Sequence, residues 1–168
     1  MNTRLVARFT VLAAVAVLLA GCSNTAGADA SSSGKPLQLR LVTSSAQGTC
    51  TEPALNSDGP GKACDKAGTT TYELGKSLGT VTPTSVTLSK DQGQAHSVTL
   101  ELSAADTSTL GAVSGKAINK NLAIVLDGRV LSAPLVKDAI TTSTLNLAFD
   151  TASEAKQTAA ELKASATP

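Results

Sequence analysis

The sequence predicts an α+β domain, a mainly antiparallel sheet with two helices on one face. Three observations carry this. Apolar and polar residues alternate at strand period over residues 37–42, 97–102 and 144–149. Asp127-Gly128 stands between two apolar runs, the strongest short-range hairpin signal. Capping sequences at Ser103 and Thr151 each open a helical pattern. From Ser97 onward the order is strand, helix, hairpin, strand, helix, which packs as helices against an antiparallel sheet.

The chain opens with Arg4 and Arg8, an apolar run over residues 11–20, and then Cys22. A basic flank and a short apolar core mark a secretory signal peptide, here residues 1–21. The run is too short for a spanning helix, which needs about 20 apolar residues. Its ending, Leu19-Ala20-Gly21-Cys22, resembles the lipobox of bacterial lipoproteins. That resemblance implies a Cys22 thiol that is diacylated, with palmitate-type chains, and cleavage just before it. An ordinary signal peptide with a chance cysteine is the alternative. Two acyl chains give a stable membrane anchor where one is marginal. The expected address is the extracytoplasmic face of the cell membrane.

Cleavage leaves 147 residues and takes the formal charge from +1 to −1. A near-neutral chain of mixed charges has no electrostatic footprint for nucleic acid, and no polybasic run for anionic lipid. The length suits one domain. The mature part holds one Phe, one Tyr and no Trp, so Val, Leu, Ile and Ala must build its core.

Residues 22–36 are rich in Ser, Ala and Gly and nearly devoid of large apolar side chains, so they read as a flexible tether to the domain at 37–168. Leu37, Leu39 and Leu41 lie on one face of a half-buried strand. Residues 43–71 then read as a loop with little regular structure, holding Cys50 and Cys64. Outside the cytoplasm, two remaining cysteines read as a disulfide. A loop of about 15 residues gives roughly 3 kcal/mol in the chain-entropy model. A metal site is the rival reading, but His96, the one histidine, lies far off in sequence.

Tyr72-Glu73-Leu74 and residues 85–88 read as short strands around a turn at Thr82-Pro83-Thr84. Val98, Leu100 and Leu102 face inward from the next strand. Ser103 and Asp106 form a capping-box variant, and Leu110, Val113 and Ala117 follow at helical spacing. Gly111 and Gly115 weaken this helix, by roughly 1 kcal/mol each relative to Ala, and are expected to allow close packing. In the hairpin, a two-residue turn at Asp127-Gly128 sets Leu126 opposite Arg129, Val125 opposite Val130 and Ile124 opposite Leu131. Val125, Val130 and Ser132 then share a second face that is also apolar. Pro134 ends the hairpin, and residues 135–140 read as one irregular helical turn. Leu145, Leu147 and Phe149 form a last strand. A capping box at Thr151 and Glu154 opens a helix with Ala155, Ala159 and Leu162 as its apolar stripe.

The stretch Leu122-Ala123-Ile124-Val125-Leu126-Asp127-Gly128-Arg129-Val130-Leu131-Ser132-Ala133-Pro134 is similar to the most recognisable part of SecD, an accessory subunit of the bacterial protein translocase. It corresponds to the head subdomain of SecD's first periplasmic domain, the P1 head. Tyr72-Glu73-Leu74-Gly75 resembles that family's entry segment, Leu37 to Val42 its leading strand, and Phe149, Glu154 and Ala155 its closing strand and helix. Thr141-Thr142 stand where the family usually has Gly-Gly. The resemblance implies a P1-head-like fold and a role in contacting an emerging polypeptide. SecD's six membrane spans have no expected counterpart here, so the implied role is binding rather than translocation.

No residue set points to catalysis. Asp127 and Gly128 read first as turn geometry, since both central positions of a type I′ turn need φ > 0. Nothing brings Asp127 and Asp138 to one substrate, as acid–base work requires. No serine lies in a Gly-x-Ser-x-Gly elbow, and Gly75 to Gly79 lacks the Lys-Ser/Thr of a phosphate loop. No metal or cofactor is expected. The apolar face of Val125 and Val130 is either covered by the stapled loop or the first strand, or open for a partner's extended segment or helix. The expected function is therefore a non-enzymatic, lipid-anchored module. Its partner would be an exported polypeptide or envelope protein, possibly with the translocase. A small-ligand-binding lipoprotein serving a transporter is the alternative.

Overall fold

The computed structural model describes residues 34–89 and 96–163. Among these, the order is β1 (Leu37–Gln47), β2 (Gly61–Cys64), β3 (Thr70–Val81), β4 (Pro83–Ser89), β5 (His96–Leu102), α1 (Ala104–Lys116), β6 (Leu122–Leu126), β7 (Arg129–Ser132), β8 (Thr144–Phe149) and α2 (Ala152–Lys163). The fold is α+β with antiparallel strand pairing, but it contains two sheets where the sequence suggested one. The strand orders are β2-β3-β1-β6-β7 and β4-β5-β8. None of the described helices is long and apolar enough to cross a membrane.

The sheets part at Thr82. The expected turn there does not fold β3 onto β4; it hands the chain from one sheet to the other. Pro83 sits at the first position of β4, where a missing amide donor is tolerated.

The segment 43–71 is also more ordered than its composition implies. β1 continues to Gln47 because β3 supplies its ladder, with Ser44 opposite Glu73 and Gln47 opposite Thr70. The side chains from Thr43 to Gln47 remain exposed, which is why no apolar alternation announces this half of the strand. β2 pairs with β3, leaving residues 48–60 as the irregular stretch.

β1 and β3 shift register at three places between Leu39 and Ser44. Bulges increase local twist, and this sheet curls until its outer strands meet. Asp65, just past β2, forms a parallel bridge with Val130 of β7. The curl separates two cores. Leu37, Leu39, Val81, Ile124 and Leu126 project outward and pack with Val86, Val98, Leu100 and Leu147 of the small sheet and with both helices. Ala63, Leu74, Ala123, Val125 and Val130 fill the inside of the curl.

Each helix begins as its sequence requires. The Ser103 hydroxyl accepts the Asp106 amide at 3.1 Å, and the Thr151 hydroxyl accepts the Glu154 amide at 3.2 Å. α1 buries Leu110 and Val113, and α2 buries Ala155, Ala159 and Leu162. Residues 135–140 are not a helical turn. Leu135 bridges Asn121, and the chain then crosses α1, where the Ile140 amide donates to the Ser114 hydroxyl at 2.8 Å. A Cβ on Gly111 would stand 3.5 Å from the Ile140 carbonyl and one on Gly115 3.8 Å from the Ala139 Cβ, both ordinary contacts, so the crossing does not require either glycine. The outer face of the small sheet is polar, with Ser89, Thr99 and Asn146 linked in a row across its three strands.

Candidate functional site

The β6–β7 hairpin has the expected two-residue turn. Asp127 and Gly128 adopt φ of 48° and 76°, the left-handed values that a type I′ turn needs. Gly128 carries a second constraint. The Leu55 amide donates to the Gly128 carbonyl at 3.0 Å, and a Cβ on Gly128 would lie 2.4 Å from the Leu55 nitrogen. Asp127 is exposed and pairs with Lys35 at 2.8 Å.

The register departs from expectation beyond the first two pairs. Val125 lies opposite Val130, but Ile124 lies opposite Ser132, with Leu131 as the extra residue of a bulge. Ser132 therefore does not continue the Val125–Val130 row. Nor is that row open: Val125 is 2% and Val130 1% exposed. Leu55, Val42 and Tyr72 pack over this inner core, so the expected partner-binding face is interior to the curled sheet. The curl follows from pairings made by β1 and β3, which the hairpin's own residues do not reveal.

Residues 48–60 form a strap across the end of the curl. A Cys50–Cys64 disulfide closes it at its base. Its crown is held by Arg40, an arginine with no exposed surface. Arg40 projects from the same strand face as Gln38 and Val42, into the curl. Its guanidinium donates to the Gly59 carbonyl at 2.7 Å, to the Gly75 carbonyl at 3.1 Å, to the Gln38 side-chain oxygen at 3.1 Å and to the Ser57 carbonyl. Burial lowers its pKa from the ordinary arginine value, and Asp58 works against that shift. The Asp58 carbonyl accepts the Ser77 amide at 2.8 Å, and its carboxylate accepts from Gln38 at 3.2 Å. Sequence reading missed Arg40. Within Leu37 to Val42 it looks like any outward polar residue, because the carbonyls that receive it arrive from 17 to 35 residues away.

Between the strap and the hairpin lies an open groove of about 460 Å³. Pro36, Gln38 and Thr80 form one side, Leu55 and Asn56 the other, and Val125 and the Asp127-Gly128 turn close it. Its surroundings offer apolar patches beside backbone and amide groups, a combination that suits an extended peptide.

Two ionisable groups near the strap's base are shifted. Burial by itself would raise Asp65, but donation from the Thr69 hydroxyl and from the Thr69 and Thr70 backbone outweighs it and holds the carboxyl below its ordinary value. Thr69 gives two of these bonds, both at 2.8 Å. Burial, and then the Asp65 charge, raise Tyr72. Lys66 ties this region to α2 through Glu161 at 2.5 Å. No group of three or more His, Cys, Asp or Glu side chains among the described residues is arranged to hold a metal. Cys22 lies outside the described residues.

Comparison with known proteins agrees with the fold. Residues 67–168 match the SecDF, P1 head subdomain. A crystal structure of SecDF in its super-membrane-facing form is similar, with 27% identity and a TM-score of 0.53 over 76% of this chain and 18% of that one. A membrane component SecDF that enhances protein export is similar, with 26% identity and a TM-score of 0.55 over 79% of this chain and 63% of that one. The chain thus spans less than two thirds of each SecDF chain. No curated protein matches the sequence. The match at residues 67–168 takes in the hairpin, both helices and the whole small sheet, and the chain belongs to the SecDF P1 head subdomain family.

Proposed function

We propose that the protein is a lipid-anchored, extracytoplasmic and non-enzymatic module that receives an exported polypeptide in the groove beside the Asp127-Gly128 turn. Membership of the P1 head family is the observation that carries this reading. The similar SecDF enhances protein export, and an accessory role in export follows for this chain. The Leu19-Ala20-Gly21-Cys22 sequence supports the anchor. The groove supports an extended occupant, because it sets apolar Pro36 and Leu55 beside the side-chain amides of Gln38 and Asn56.

The anchor is tested by mass spectrometry of the mature N-terminus. Acylated Cys22 is expected, and an unmodified terminus at another residue rejects the anchor. The groove is tested with a photo-crosslinking amino acid at Thr80 or Asn56, both exposed, and at the exposed Thr87 on the small sheet as control. In exporting membrane vesicles, the first two positions should link to a secretory chain in transit and Thr87 should not. Equal labelling at all three positions, or none at the groove, sinks the assignment.

A further inference from the structure

Ile118 and Leu135, 42% and 46% exposed, are the large apolar side chains that stand out into solvent among the described residues. They belong to adjacent backbone segments. The Asn119 amide donates to the Val136 carbonyl at 2.8 Å, the Val136 amide donates to the Lys120 carbonyl at 3.0 Å, and Leu135 bridges Asn121. Lys116, Lys120 and Lys137 lie within two residues of one or other apolar side chain, and all three are exposed. None of the three takes part in an ion pair among the described residues. Asp138 is the one acidic residue in the two segments 116–121 and 134–138. The sequence has no polybasic run, yet folding gathers three cations around an apolar pair.

We propose that this patch rests on the surface of an anionic bilayer, with Ile118 and Leu135 entering the headgroup boundary and the three lysines facing lipid phosphates. Large apolar side chains flanked by lysines suit the bilayer interface, where burial of apolar area and attraction to anionic lipid act together. Chain length permits the contact. Eleven residues lie between Cys22 and Gly34, and an extended chain over those twelve Cα–Cα steps spans at most about 40 Å. The patch adjoins Val42, whose amide donates to the Asn121 carbonyl. That is five residues along β1 from Leu37, or about 17 Å of strand. An anchored domain can therefore lie down on the membrane that holds it. The inference rests on the anchored reading of Cys22 for its geometry.

The test uses the acylated full-length mature protein reconstituted into vesicles. Asp138→Cys supplies a single free thiol, since Cys50 and Cys64 are bonded to each other, and it takes an environment-sensitive dye. Vesicle co-flotation reports the anchor, while dye emission and its quenching by lipid spin labels report the patch, so the two readings fail separately. In phosphatidylglycerol vesicles the dye should shift to the blue and be quenched, and in phosphatidylcholine vesicles much less. Each lysine near an anionic surface is worth about five-fold in association, so K116Q, K120Q and K137Q together should lower membrane contact about a hundred-fold. High salt should release it, and I118S with L135S should abolish quenching while the circular dichroism spectrum stays unchanged. Identical emission in both lipids, or an unchanged signal in the triple lysine variant, overturns the proposal. An acidic protein as the true partner would give that same insensitivity to lipid charge.

Discussion

Replacing Arg40 with Met keeps the length of the buried stem and removes the guanidinium that fastens the strap. Four acceptors lose their donor: the carbonyls of Ser57, Gly59 and Gly75 and the side-chain oxygen of Gln38. Ser57 and Gly59 belong to an exposed segment, so their carbonyls regain water. Gly75 and Gln38 are half-buried strand residues and recover less. A hydrogen bond to a charged group contributes about 1.5–3 kcal/mol net, so those two set a loss of about 3–6 kcal/mol. Urea denaturation of the oxidised protein measures it. The loss should also be local. Amide exchange at Ser77, which donates to Asp58, and at Leu55, which donates to Gly128, should accelerate far more than at Val98 in the small sheet. Arg40→Lys should recover only part of the stability, because one ammonium cannot reproduce the planar fork. A loss under about 1 kcal/mol, or unchanged exchange at Leu55 and Ser77, would refute the idea that Arg40 holds the strap.

Breaking the disulfide with C50S and C64S should cost about 2–4 kcal/mol by denaturant unfolding, and thiol titration of the denatured wild type should find neither cysteine free. Gly128→Ala meets both the positive φ and the Leu55 backbone, so its cost should exceed the roughly 1 kcal/mol usual for such a change, read from the thermal midpoint. Asp65 is held below the carboxylate's ordinary value. Its contribution is thus present above the unfolded pKa of about 3.9 and is lost as pH falls through the lower folded value; Asp65→Asn should flatten the acid limb of the stability profile. Val125→Asp with Val130→Lys should unfold the domain, because both positions lie inside the curled sheet; a folded double variant by circular dichroism would contradict that burial.

What the sequence revealed was local chemistry. The Asp127-Gly128 turn, the serine and threonine caps and the alternation in β5 and β8 each announce themselves within a few residues. What it hid depends on distant pairing. The outer half of β1 is polar on both faces and is a strand only because β3 lies beside it. Thr82-Pro83-Thr84 has turn composition, but whether a turn folds a strand back or passes it to another sheet is decided by partners elsewhere. The bulge at Leu131 moved Ser132 off its expected row, and of the two readings of the Val125–Val130 face the covered one holds, with Leu55 of the stapled loop and Val42 of the first strand packed over it. Arg40 is the extreme case: its burial becomes intelligible only once the Ser57 and Gly59 carbonyls arrive above it.

The meeting of Asp65 with Val130 bears on where the larger sheet ends. Strands at the margin of an open sheet present unpaired amides and carbonyls, a template on which neighbouring copies can polymerise. Here the two marginal strands of the larger sheet, each only four residues long, are turned toward one another instead of outward. The curl that hides Val125 and Val130 therefore also turns the larger sheet's two margins away from any neighbouring copy.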